Sequence, residues 1–525
     1  SYLGKHDLIF KVFEDKQPLP GEKDEKNHVF TVTQSVSNGE VEKDFGNMEA
    51  RIYEYQSGFP GLEPSELPPQ KWGFSYFRDL IRAAIDELLK DLLLKGCGGN
   101  YSVKDVERVY GVNNPELELD EKHSIEMLLN GIFPCHLLKG EAGTKVLDIN
   151  WDRYEHDAKT PALPNIEAVF SENDQGKLTI DKITVQFRGK DKQEYLPGNE
   201  DFKKGLYLLN SSAVVRGEVD SHLGKGHIWC EQASMAVFRN LKENPVAKLL
   251  KPHLREVVLI NELGASAIFG EEGVLNVSAL TTGGIKENLK DILGGMNWKF
   301  RPRLPMENED HQFAHAGQLF WDTLGGVVDQ FFDENAEGIR EHWYEVRDMS
   351  KSLEENSVPY RAPDGVEDST KWVDPSEFDY DVEGRVMVNG ERRAVSSITQ
   401  NEDGPEGDDI ENLKQFCRYN MYMSTFNHWA VHTSQSKWVT NPSFASLAPE
   451  SDGGHLPYHG TRPENARHHV STAHVLVDFD RDTGSLVENA NGDAYQPFID
   501  ALVAKEKDFS ALGYDIREMT YGIII

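Results

Sequence analysis

The sequence predicts a mainly α chain, folded as one large helical domain with long central helices and a small β-element. Three observations lead there. Apolar residues recur at helical spacing over several long stretches. One region alone alternates as a strand pair. No domain-sized linker or internal repeat divides the 525 residues.

In chain order, residues 1–70 are polar and turn-rich, with a weakly alternating strand candidate at Asp7–Phe13. The stretch Gly58–Gln70 carries four prolines and reads as an extended loop. Tyr76–Leu94 has a broad apolar helical face. Asp120–Asn130 is a second helix, ended near Gly131 and Pro134. Ile166–Phe170 and Ile183–Phe187 alternate around Asn173-Asp174-Gln175-Gly176, which predicts a hairpin. Two long helical stretches fill Asp201 to about Glu262, and Gln312–Arg347 is a third. Residues 351–412 are acidic and turn-rich, as a surface excursion would be. Leu413–Trp438 is helical again. The chain closes on apolar Tyr521-Gly522-Ile523-Ile524-Ile525, unlike the polar ends usual for exposed termini. The expected organisation is an N-terminal segment, 1–120, packed on a unit spanning 121–525.

Composition narrows the function classes. Hydrophobic residues make up 38% of the chain, enough for a sizeable core. The formal charge of -33 opposes nucleic acid phosphates and anionic membrane surfaces. Four cysteines, none at CxxC spacing, read as reduced core thiols. No apolar run reaches the roughly 20 residues that span a bilayer. The expected setting is cytoplasmic, with membrane contact at most peripheral and no nucleic acid partner. Asp478–Gly484 resembles a calcium loop but lacks its Gly and Glu positions, and reads as a solvated turn.

Two histidine pairs carry chemistry. His222 and His227 are five residues apart. On an α-helix that spacing leaves side chains about 140° apart, too far to share an ion. A π-bulge would bring them onto one face. His428 and His432 lie at i, i+4, about 40° apart on an ordinary helix. Imidazole suits iron, copper, nickel or zinc. A buried C-terminal carboxylate could add the missing negative charge. Each histidine alone reads more readily as a satisfied core side chain than as a ligand.

The surroundings of these pairs decide between the readings. Lys203–Gly264 holds His222-x4-His227, Glu231, Pro245-Val246-Ala247-Lys248-Leu249-Leu250-Lys251-Pro252-His253 and Asn261. Thr281-Thr282-Gly283-Gly284 and His315-Ala316-Gly317-Gln318-Leu319-Phe320-Trp321 follow, and EKHSIEMLLNGIFP (Glu121–Pro134) precedes. Together these resemble the lipoxygenase family over roughly residues 120–345, 415–442 and the terminus. The resemblance implies a non-haem iron centre held by His222, His227, His428, His432 and the carboxylate of Ile525, with manganese as an alternative metal. It implies hydrogen abstraction at a metal–hydroxide centre, and O2 addition to a polyunsaturated fatty acid bearing a 1Z,4Z-pentadiene. Glu218 and Gln435 match positions beside the ligands. Gly264 matches an Ala/Gly position at which Gly goes with R-products, since a missing methyl leaves room for O2. Ile268 and Leu275 match positions lining the oxygen and substrate channel.

The sequence departs from the family in Asn244, where His is common, and in Ile228-Trp229-Cys230. It also shows no evident N-terminal β-sandwich. The same ligands would serve a hydroperoxide isomerase or a dioxygenase of a non-lipid alkene, and a silent lipid-binding protein is the third reading.

Overall fold

The computed structural model describes residues 101–111, 116–155, 163–258, 280–295, 302–356, 403–447 and 494–523, with shorter pieces between. The expected strand at 7–13, the proline-rich loop and the calcium-like loop at 478–484 lie outside the described residues. Of the helix expected at 76–94, residues 89–90 and 92–94 are described, and they are helical.

Among the described residues, two further helices precede the sheet. Helix α1 (Val103–Tyr110) starts with a capping box, Ser102 and Asp105 each bonding the other's backbone N–H. Helix α2 (Glu121–Asn130) begins at Asp120, whose side chain accepts from the His123 N–H.

A five-stranded antiparallel sheet follows, in sequential order: β1 (Leu138–Lys139), β2 (Lys145–Ile149), β3 (Asn165–Glu172), β4 (Leu178–Gln186) and β5 (Gln193–Tyr195). The expected hairpin is its centre. Ile166 pairs with Val185 and Ala168 with Ile183, so the apolar alternation of both strands faces one side. The turn closes as the motif implied: Gly176 takes φ +73, and its N–H donates to the Asn173 carbonyl. Strands β1, β2 and β5 were not expected, being too short or too polar to show alternation.

The centre is helical. Helix α3 (Phe202–Gly217), a π segment (Glu218–Ile228) and α4 (Trp229–Asn240) follow one another without a break, and α5 (Val246–Leu254) packs back on α4. Helix α6 (Thr282–Gly295) lies against the π segment. There Gly224 is required: a Cβ would come within 2.9 Å of the Val219 carbonyl oxygen and 3.0 Å of the Ile292 side chain.

The stretch expected as one helix from Gln312 is three: α7 (Gln312–Glu334), α8 (Ala336–Glu341) and α9 (Trp343–Asn356). Asn335 ends the first by turning its amide back to the Phe331 carbonyl, 2.8 Å away. The acidic excursion holds three short antiparallel strands, β6 (Phe378–Tyr380), β7 (Val386–Val388) and β8 (Glu391–Arg392). It is not all surface. Ile398 and Thr399 are buried, and their N–H groups donate to Ser350 Oγ.

Helix α10 (Asp409–Tyr422), a second π segment (Met423–Asn427) and α11 (His428–Trp438) form the other central run. Short helices α12 (Gln496–Val503) and α13 (Glu506–Ala511) precede the tail. One large core joins the sheet and the central helices, and a smaller separate cluster of Leu94, Val106, Tyr110 and Val470 holds α1. Around the second π segment the large core is aromatic, with Phe426 packed among Phe313, Phe320, Tyr422, Trp429 and Tyr514. Among the described residues no helix is long and apolar enough to cross a membrane.

Candidate metal centre

The first histidine pair sits in the backbone form its spacing required. His222 and His227 both lie in the π segment, which is 11 residues long rather than a single-turn bulge. Their ring centroids are 4.9 Å apart. His428 opens α11 immediately after the second π segment, and His432 follows one turn later. The two runs cross so that the four rings converge. His227 Nε2 and His428 Nε2 are 3.0 Å apart, and His222 Nε2 is 3.3 Å from His432 Nδ1. His222, His227 and His428 offer nitrogens within 4.8 Å of one another, a group able to hold a metal ion. The fourth ring borders that group, its centroid 5.3 Å from His222 and 5.4 Å from His428. All four are buried.

Hydrogen bonds fix which nitrogen His227 and His222 present. His227 Nδ1 is 2.8 Å from Asn261 Oδ1. Asn261 is oriented in turn, its amide donating to Glu231 Oε2 at 2.6 Å and to the His227 carbonyl at 3.1 Å. The amide oxygen can only accept, so Nδ1 carries the proton and Nε2 presents a lone pair. His222 Nδ1 lies 3.1 Å from Glu218 Oε1 and 3.3 Å from Gln435 Nε2. The nearer carboxylate can only accept, which places the His222 proton on Nδ1 and leaves Nε2 facing His432; the Gln435 amide is compatible with that tautomer when it turns its oxygen to the ring. Burial, with the His222 ring beside it, pushes His227 down to about 3, so its ring stays neutral.

This donor set fits a first-row metal. Two cis nitrogens at bonds of about 2.1 Å stand about 3.0 Å apart, the separation found between His227 and His428. With His428 in the tautomer that also presents Nε2 as a lone pair, a cation between the two nitrogens would remove their repulsion and offset the burial of four polar rings. Imidazole donors suit iron among the candidates.

Other expected residues are placed as follows. Ile268 and Leu275 are buried apolar side chains. Gly264 and Ile525 lie outside the described residues, but the tail leading to Ile525 turns inward, with Ile523 only 1% exposed. His253 Nδ1 lies 2.6 Å from the Tyr521 carbonyl oxygen, which can only accept from it. Gly522 then passes so close to the His253 backbone that a Cβ would meet its carbonyl oxygen at 2.5 Å. Sequence reasoning gave Asn261 no role; its signal lay in the motif, but its partner is 34 residues away. Asn427 was missed as well: its amide donates to the Ser221 carbonyl and ties the two π segments together.

The fold and this site define a class: the chain is lipoxygenase-like in architecture and in sequence. It superposes on the crystal structure of a 9R-lipoxygenase from Cyanothece PCC8801 with a TM-score of 0.77 and 28% identity, covering 87% of this chain and 73% of that one. A coral 8R-lipoxygenase shares the fold at a TM-score of 0.63 and 16% identity, over 85% of this chain and 75% of that one. Curated relatives match shorter stretches. The allene oxide synthase-lipoxygenase protein of Plexaura homomalla is 28% identical over 122 residues, 22% of this chain and 11% of that protein. The epidermal-type polyunsaturated fatty acid (12S)/(13S)-lipoxygenase of Mus musculus is 35% identical over 77 residues, 14% of this chain and 12% of that protein. These matches thus span only about a tenth of either curated relative's length. No protein-family model matches the chain.

Proposed function

We propose that the protein is a non-haem iron dioxygenase that converts polyunsaturated fatty acids to hydroperoxides. The observation that carries this reading is the convergence of three buried imidazole nitrogens, from two helical runs, within 4.8 Å. His222, His227, His428 and His432 would hold the metal, with the carboxylate of Ile525 completing the set.

When bound, iron supplies the one-electron chemistry by which a hydrogen atom leaves a bis-allylic CH2 so that O2 can add to the resulting radical. The chain's own residues prepare that step. Asn261 keeps the proton on His227 Nδ1, and Glu218 keeps it on His222 Nδ1, so both Nε2 atoms point inward. Burial of all four rings keeps water from competing for the donors and for a radical intermediate. The His253 contact to the Tyr521 carbonyl anchors residues 521–523 in the core, from which the carboxylate of Ile525 would reach the rings.

Gly264 is proposed to favour the R hydroperoxide, because a missing methyl leaves space for O2 at one end of the radical. The relative superposing over 87% of this chain is named a 9R-lipoxygenase, which supports that assignment. Ile268 and Leu275 would line the channel.

Metal analysis of the purified protein, followed by chiral analysis of products from linoleic and arachidonic acids, tests the reading. Iron with R-hydroperoxides is the expected result. Iron with S-hydroperoxides overturns the role of Gly264, and conjugated-diene formation that is absent with every fatty acid overturns the activity.

A further inference from the structure

The first π segment carries a second pair at the spacing of its histidines. Asp220 and Lys225 are also five residues apart, and Lys225 Nζ lies 2.6 Å from Asp220 Oδ1. On α geometry those side chains would stand about 140° apart and could not meet. The wider π turn brings them together. Each stands two residues before a histidine, close to half a turn of the helix. The pair therefore occupies the far side of the segment from the rings. A third group closes on the pair: His136, between α2 and β1, donates from Nδ1 to the Pro134 carbonyl 2.7 Å away, so its Nε2 accepts from Lys225 Nζ at 3.5 Å and holds the lysine beside Asp220. That imidazole is itself stacked on Phe133, ring centroids 3.7 Å apart. Asp220 is buried and Lys225 half-buried, so the attraction is less screened than in a surface pair.

A clamp is needed here. Gly224 and Gly226 weaken the helical preference of the segment, and a return to α spacing would swing His227 about 140° away from His222. An ion pair that forms in the π register alone biases the backbone toward that register.

We propose that Asp220 and Lys225 are positioning residues: their ion pair, braced by His136, locks residues 218–228 in the register that lets His222 and His227 face one point. The consequence for metal rests on the proposed ligand role of those histidines; the consequence for the backbone does not.

Two readouts separate these. Amide hydrogen exchange across residues 218–228 reports the register, and metal content per chain reports the site, both on the full chain as purified. Lys225→Met keeps the apolar stem and removes the charge. It is expected to speed exchange in that segment roughly five- to tenfold relative to the rest of the chain, and to lower retained iron. Asp220→Asn should do the same, while Lys225→Arg restores both readouts. Unchanged exchange in Lys225→Met and Asp220→Asn, or acceleration spread evenly over the whole chain, overturns the clamp. A wild-type protein without metal whose segment still loosens in Lys225→Met overturns the ligand role and leaves the clamp standing.

Discussion

His227 Nε2 and His428 Nε2 face each other at 3.0 Å although 201 residues separate them in the chain. With Asn261 holding the His227 proton on the opposite nitrogen, the contact is not a hydrogen bond from His227. It is an arrangement that could hold a shared cation, as the proposed site requires. His428→Ala should therefore reduce metal affinity by more than about 100-fold, beyond the usual cost of losing a supporting partner. Competition with a graded chelator measures it, and unchanged retention would contradict the arrangement.

Asn261 is the next test. Asn261→Leu keeps the volume and frees His227 Nδ1 from its acceptor. The ring can then adopt the wrong tautomer, and metal affinity should fall about 10- to 100-fold. Chelator competition beside a thermal melt separates this from general destabilisation. Full retention would show that the Asn261 contact does not orient His227.

The tail gives a steric prediction. Gly522→Ala would place a methyl 2.5 Å from the His253 carbonyl oxygen, against backbone that cannot yield. Residues 521–523 should leave their buried position beside His253, and the C-terminal segment should become open to carboxypeptidase. Resistance equal to wild type would show that the tail has another way in.

How much of this was legible is seen in particular residues. The five-residue step from His222 to His227 announced a π segment, because no α-helix could make that pair useful. The Asn-Asp-Gln-Gly turn fixed the hairpin register. The second π segment left no trace: Met423–Asn427 carries no spaced pair, and its width shows only in how His428 meets His227. Periodicity ran through Asn335, since a side chain that caps the helix it ends does not disturb the apolar pattern. Ile398 was lost in acidic surroundings although its burial depends on Ser350, 48 residues earlier. Asn261 and Asn427 act through partners that only the fold supplies. The pair Asp220 and Lys225 was readable by the same spacing rule as the histidines, but on a charged pair that spacing reads as solvated surface.

Acid should destabilise the fold before it titrates ordinary carboxylates. Burial pushes His136 and His253 from 6.5 to about 4, and His311 to about 3. A depressed imidazole binds its proton more readily in the unfolded chain. The stability is therefore whole above pH 6.5 and is lost as pH falls toward 4. Each group contributes a slope of up to about 1.4 kcal/mol per pH unit in that window. Denaturant unfolding at pH 7 and pH 5 checks it; equal stability at both would contradict the burial of these rings.

The aromatic core beneath α11 is a separate lever. Phe426 is fully buried against five rings. Phe426→Ala should cost about 3–5 kcal/mol, read as a shift in the denaturant midpoint. A loss under about 1 kcal/mol would mean that the cavity collapses and the packing is softer than described.

The most direct test is X-ray absorption at the iron edge of protein expressed with iron supplied, paired with metal quantification. The account predicts about one iron per chain in a shell dominated by imidazole nitrogen at about 2.1 Å, lost in His428→Ala. Protein that folds normally yet retains no first-row metal, or iron whose shell is unchanged in His428→Ala, would contradict it.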